Sequence, residues 1–498
     1  MKQKNFYILF LFVISVSCGY DFPENDISSQ YNFGEINTEK FVSIGDDFSA
    51  GVMNGALYTE GQQSSIPALI ARQIAEVNEI SFIQPNIDAG NGYNYYRSNS
   101  SEIFGKWIYQ FSDKTSAEAQ IVLTTGESIT TYAGDVSNLN NLSIPFLKLS
   151  HISNNGLSAN PYYERITKNP GQSTLANDII SSNPTFFYAW LGMNDILNYA
   201  INGAVSQEGD IFSEIKYTSV VEFEDNFDNL IDNLLQNQDC KGVIGNIISI
   251  NDLPFFYTKP FNFLKLENGQ ISAAKSAIQL NKFNNGVSLH NPTAPDEDKR
   301  PFIGFEDNGL YNLYPQRLII IDESLSDAYY PDGTPIPKYR QLIEGEIALF
   351  SITDEMVESG YGYKIPLSDK YVLTLNEIEE IQSVISSYNN IINRKVQQYP
   401  DKLVLADIGK EVHKIAITGT YDAWGQVQDN TIYYSNGIPI EGALGLNSVF
   451  SLDALHFNNR GNAFIANVFI NAVNDKFSAF IPEADINDFP GNVYTVRF

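Results

Sequence analysis

Four short, largely apolar runs, spread over most of the chain and separated by amphipathic stretches, constrain this sequence more than any other feature. They are Phe41 to Ile44, Thr185 to Trp190, Val243 to Ile250 and Leu403 to Ala406. A strand with one wet face alternates apolar and polar residues. Strands without that alternation are buried on both faces, as in a parallel sheet sandwiched between helices. The intervening stretches supply the helices. Ile66, Leu69, Ile70 and Ile74 share one helical face, and Phe227, Leu230, Ile231, Leu234 and Leu235 repeat at the spacing of a core-facing helix. Thr374-x-x-Glu377 is a capping box ahead of Ile378, Ile381, Ile385, Tyr388 and Ile392, and Gly461 to Val473 reads as a last helix. The expected class is α/β with a parallel sheet.

Three stretches break the rhythm, at about 80–140, 253–369 and 409–450, and the middle one is rich in Pro, Asn, Tyr and Phe. Structureless loops of that length are uncommon in compact domains, so these segments are expected to be insertions with folds of their own over the sheet's active edge. The main domain is expected over 39–480, with a C-terminal extension at 481–498. The chain holds 498 residues, 43% hydrophobic and 13% aromatic, which is ample for a packed core. Its 59 acidic and 31 basic residues leave a formal charge of −28, spread along the chain. Such a surface repels phosphate backbones, so no nucleic acid partner is expected.

The N-terminus reads as a processing segment. Lys2 and Lys4 precede an apolar run from Phe6 to Ile14 and then Ser15-Val16-Ser17-Cys18. A basic start, a short apolar stretch and small residues before a cut describe a secretory signal, here 1–17. The run falls far short of the roughly 20 residues that span a bilayer. Cys18 resembles a bacterial lipoprotein cleavage site, although Ser15 stands where such sites carry Leu. The resemblance implies lipid on Cys18, a polar tether over 18–38, and an exported protein anchored at the outer membrane or cell surface. Cys240 then has no partner for a disulfide and is expected as a buried free thiol.

Three blocks carry the candidate chemistry, each beyond the end of an apolar strand or before a helix, where open parallel sheets bind ligands. They are Ile44-Gly45-Asp46-Asp47-Phe48-Ser49-Ala50-Gly51, Leu191-Gly192-Met193-Asn194-Asp195 and Ser451-Leu452-Asp453-Ala454-Leu455-His456. In the last, Asp453 can reach the His456 imidazole, fix its tautomer and steady its charged form. Taken in this order, the blocks resemble the active-site motifs of the SGNH/GDSL esterases from about Lys40 to Phe477. The resemblance implies a flavodoxin-like, three-layer α/β/α fold and hydrolysis of acyl or acetyl esters. It implies His456 as general base, Asp453 as its orienter and Asn194 as an oxyanion-hole side chain, with Gly192 letting backbone approach a substrate. The family's nucleophilic serine position holds Asp47. A fourth, weaker match, Asn141-Leu142-Ser143-Ile144-Pro145, puts Phe146 where the family has a glycine whose N–H binds the oxyanion; a bulky residue resists the left-handed backbone that glycine allows.

Neither nearby hydroxyl replaces the serine. Ser49 lies on the wrong side of a helix start and Ser43 lies within a strand. Two carboxylates flanking one imidazole raise its pKa, and a permanently protonated His456 cannot act as a base. Three readings follow: a pseudo-enzyme binding a glycan or lipid-like ligand, an esterase working through Asp47 or an activated water, and a non-catalytic surface scaffold. The tyrosines of the middle insertion (Tyr329, Tyr330, Tyr339, Tyr361, Tyr363) support ligand binding only weakly. No metal-ligand spacing or phosphate loop is present in the sequence, so no cofactor is expected.

Overall fold

The computed structural model describes residues 30–98, 101–111, 119–209, 211, 213–306, 314–416, 433–435 and 437–495. The expected signal peptide, Cys18 and most of the expected tether lie outside these residues. The fold is mixed α/β, built on a parallel sheet of four strands flanked by helices. Along the sheet the strands run β1 (Phe41–Gly45), β2 (Phe186–Trp190), β3 (Lys241–Gly245) and β4 (Leu403–Ala406). A further segment lies along the free side of β1. Ser43 N donates to Asn140 O, Leu142 N to Ser43 O and Ile144 N to Gly45 O, at 2.7–2.9 Å. Counting that segment, the spatial order is second, first, third, fourth, fifth in chain sequence. The order reverses between β1 and β2, the place where open sheets form their binding crevice.

Side-chain volume explains the strand composition. Phe187 on β2 is in register with Gly242 on β3, where a Cβ would lie 2.3 Å from the Phe187 ring. Gly245 likewise leaves room for Trp190 and Phe469, each 2.8 Å from a would-be Cβ. Glycine on one strand thus accommodates an aromatic ring on its neighbour, and each buried ring contributes roughly 1.5–3 kcal/mol.

Among the flanking helices, α2 (Ile66–Val77) packs on α6 (Asn459–Phe477), and α4 (Val220–Leu234) on α5 (Leu375–Gln398). The α5 capping box is present, and Ile381, Ile385, Tyr388 and Ile392 are buried along one stripe. Phe223 of α4 stacks on Tyr388 of α5 with ring centroids 4.0 Å apart.

One apolar run misleads. Val243 to Ile250 reads as a single strand, yet β3 ends at Gly245. Ile247 leaves the ladder, its N–H donating to the Asn389 side chain. Ile247, Ile248 and Ile250 are buried all the same, so the run signals burial rather than strand length. The stretches of poor periodicity carry local structure. Strands 104–111 and 119–125 form a hairpin, joined by Tyr494–Thr495 from the chain's end. Residues 264–372 build two small apolar clusters, one around Leu264, Leu318 and Tyr363 and one around Phe283, Val287 and Ile319.

Candidate functional site

Asp47 arrives at the reversal point through a tight turn at the end of β1. Asp46 caps the short helix α1 (Asp47–Ala50), its Oδ1 accepting from Phe48 N at 3.2 Å, and Gly51 ends it at φ 93°. Gly45 must be glycine, since a Cβ there would lie 2.3 Å from Ser49 Oγ. Ser49 faces away from the site, with its hydroxyl 2.9 Å from Tyr188 OH. Ser43 Oγ pairs with Asn141 and Ser143.

His456 sits at the end of a turn that Asp453 organises. Asp453 Oδ1 accepts from Leu455 N and His456 N at 2.9 Å and from Ser451 Oγ at 3.0 Å; Oδ2 accepts from Gly55 N and lies 2.9 Å from His456 Nδ1. The ring's other nitrogen, Nε2, is 3.1 Å from Asp47 Oδ2. The remaining Asp47 oxygen, Oδ1, accepts from the Asn194 side chain and, at 3.3 Å, from Phe146 N. The structure therefore brings Asp47, Asn194, Phe146, Asp453 and His456 together from four widely separated segments. All but Phe146 are buried, Asp47 and His456 at 1% and 2% exposure.

The electrostatics follow from this geometry. Burial alone would strip the proton from His456, but the carboxylates of Asp453 and Asp47, one on each ring nitrogen, push its pKa up to about 10. Burial works against the Asp453 charge too, yet the imidazolium and the converging N–H donors hold it below the usual carboxylate range. Asp46 behaves oppositely. Burial, reinforced by the neighbouring Asp47 charge, raises it well above that range, and its Oδ2 has no hydrogen-bond partner among the described residues.

Phe146 takes the left-handed backbone its bulk was expected to resist, at φ 63°. The pairing of 140–144 along β1 delivers it there, and the strained turn points its N–H at Asp47. Its ring supports an aromatic roof, stacked on Tyr95 at 4.6 Å, edge-on to Tyr96 at 5.2 Å and tilted against Tyr162 at 6.2 Å. Tyr96 is 40% exposed as a residue, yet its phenol lies near enough to the buried acids to feel their charge. Burial, followed by the charges of Asp47, Asp453 and Asp46, raises the phenol well above its ordinary pKa. Sequence reasoning missed this roof. Its signal was the run Tyr93-Asn94-Tyr95-Tyr96, in a stretch with no periodicity to place it.

Gly192 adopts φ 108°, and a Cβ there would meet Ile247 and Phe223 at 2.8 Å, so interior packing accounts for the glycine. The insertion tyrosines diverge: Tyr363 is buried in its own cluster and Tyr329 is 59% exposed. Cys240 is a buried free thiol, its pKa pushed up to about 12 by burial. Among the described residues no group of three or more His, Cys, Asp or Glu side chains could hold a metal ion, and no helix is long and apolar enough to cross a membrane. No family model matches the chain, and no curated protein does.

Chemically, the site holds a charged imidazole and a carboxylate whose two oxygens are already engaged. An imidazolium has no lone pair with which to accept a proton. Asp47 Oδ1 lies between two N–H donors, the Asn194 side chain and Phe146 N.

Proposed function

We propose that this chain is a member of the SGNH/GDSL hydrolase family, with a flavodoxin-like three-layer core, whose ester-hydrolysing centre has become a closed ionic lock. One observation carries this reading: Asp47 bridges the centre, with one oxygen on Asn194 and Phe146 N–H and the other on His456 Nε2. That is how a carboxylate product would sit in an active esterase of this type. The side chain does more than omit the hydroxyl, because it fills the oxyanion site and keeps the base protonated. The strand order, with its reversal between β1 and β2, supports the same family. The protein is then an exported, lipid-anchored, non-catalytic binding protein for a glycan or lipid-like ligand. The route through Asp47 as a nucleophile gains nothing from this geometry, since a carboxylate paired with an imidazolium and two N–H donors is stabilised rather than activated.

The test is an assay of wild type and Asp47→Ser on acetylated sugars and short-chain esters. The wild type should show no turnover. Asp47→Ser should gain it, because removing one carboxylate lowers the His456 pKa toward the usual range and empties the oxyanion site. Turnover by the wild type that Asp47→Ala abolishes would sink the reading.

A further inference from the structure

The two loops that grip Asp47 also wall a second site. Beyond Phe146 the chain enters a 3-10 turn, Leu149–His151, and the N–H groups of Leu149 and Ser150 donate to Asp195, the neighbour of Asn194 in helix α3 (Asn194–Ala200). Thr218 completes the floor, its N–H donating to Asp195 O and its hydroxyl to Asp195 Oδ1. Above this floor lies a cavity of about 240 Å³. At roughly 30 Å³ per water it holds about eight waters, the space of one sugar ring.

Its lining is polar. Lys148 is buried at 5% exposure, its Nζ donating to Lys216 O at 2.9 Å and lying 3.6 Å from Glu214. Lys216 Nζ reaches the same carboxylate at 2.8 Å and His151 Nε2 at 3.2 Å. Glu214 thus gathers three nitrogen donors, and the hydroxyls of Ser150 and Thr218 stand beside them, 3.1 Å apart. The lysines Lys148 and Lys216 are matched by Glu214 and Glu222, so the lining carries no strong excess of either charge. Ile211 and Tyr217 give it only a small apolar edge, too little to cover an acyl chain, and charge balance gives an ion little advantage. Closely set donors and acceptors suit a neutral ring bearing several hydroxyls.

We propose that the cavity walled by Lys148, Ser150, His151, Glu214, Lys216 and Thr218 binds one neutral sugar residue of a glycan. The proposal rests on the binding-protein reading above and chooses between the two ligand classes it left open. The test is calorimetric titration of the wild type with glucose, galactose, mannose and N-acetylglucosamine, and separately with short fatty-acyl esters. At least one sugar should bind, and Glu214→Gln and Ser150→Ala should each weaken it, Glu214→Gln by tenfold or more. Sugar binding that neither cavity variant changes would overturn the proposal, as would binding confined to the acyl esters, which would leave the binding-protein reading standing. Binding of neither class would sink both.

Discussion

Two cations of this molecule, each set between two carboxylates and largely covered, meet different consequences. In the middle insertion, Arg340 lies between Asp322, 2.5 Å from its Nε, and Glu346, which it meets through two nitrogens at 2.7 Å. At the sheet edge His456 lies between Asp453 and Asp47. Burial opposes the charge in both, and in both the flanking acids outweigh it and raise the cation's pKa. Arginine cannot give up its proton under any ordinary condition, so its triad is a fixed brace for the insertion. Histidine can, so its triad holds only while the ring stays charged. The first is a structural clasp; the second is a triad whose hold depends on one protonation state.

The largest test of that contrast removes one acid from each triad. Glu346→Ala leaves a largely covered guanidinium short of its two-pronged partner and should destabilise the fold by about 3–5 kcal/mol in urea unfolding. Asp47→Ala leaves a ring that can shed its proton instead, and its loss should be nearer 1–3 kcal/mol. The reverse order would break the comparison. The next test is pH. A folded-state pKa of about 10 against an ordinary 6.5 means that the stability from His456 is fully present below about pH 6.5 and is lost as pH rises towards 10. Unfolding measured at pH 6.5 and 9.5 should therefore lose on the order of a few kcal/mol, and Asp47→Asn should flatten that slope. Glu346→Gln should leave it unchanged.

A smaller effect sharpens the view of Asp47 as a resident carboxylate. In Asp47→Gly the space between Asn194, Phe146 and His456 should accept free formate. The gain in stability would be about 1.4 kcal/mol at tenfold its Kd, read as a rise in Tm that the wild type does not show. The smallest effect concerns Phe146. Because its backbone is left-handed, Phe146→Gly should be less destabilising than Phe146→Ala by about 1 kcal/mol, although alanine removes less of the side chain. Equal losses would mean that the turn stores no such strain.

The strands were legible wherever an apolar run coincided with a ladder. Leu403 to Ala406 reads directly as β4, and Phe41 to Ile44 falls one residue short of β1. The run from Val243 was not, because hydrophobicity reports burial and the Asn389 side chain, distant in sequence, decides where β3 ends. The helices were legible through their caps and stripes. The roof of Tyr95 and Tyr96 was hidden, since aromatic loop residues have no period and find their places only through contacts such as the one with Phe146.

By itself the sequence determined the layering, since apolar strands without alternation have to be covered on both faces. It also determined which chemical groups could meet, since few histidines and a short list of Asp-bearing turns left little choice. The tertiary structure alone decided that Asp47 reaches across to the Asn194 side chain and Phe146 N–H as well as to His456, and that Phe146 accepts a strained backbone to point its N–H there. Those outcomes depend on ångström-scale placement of segments more than a hundred residues apart in most pairings, and local pattern carries no information about such distances.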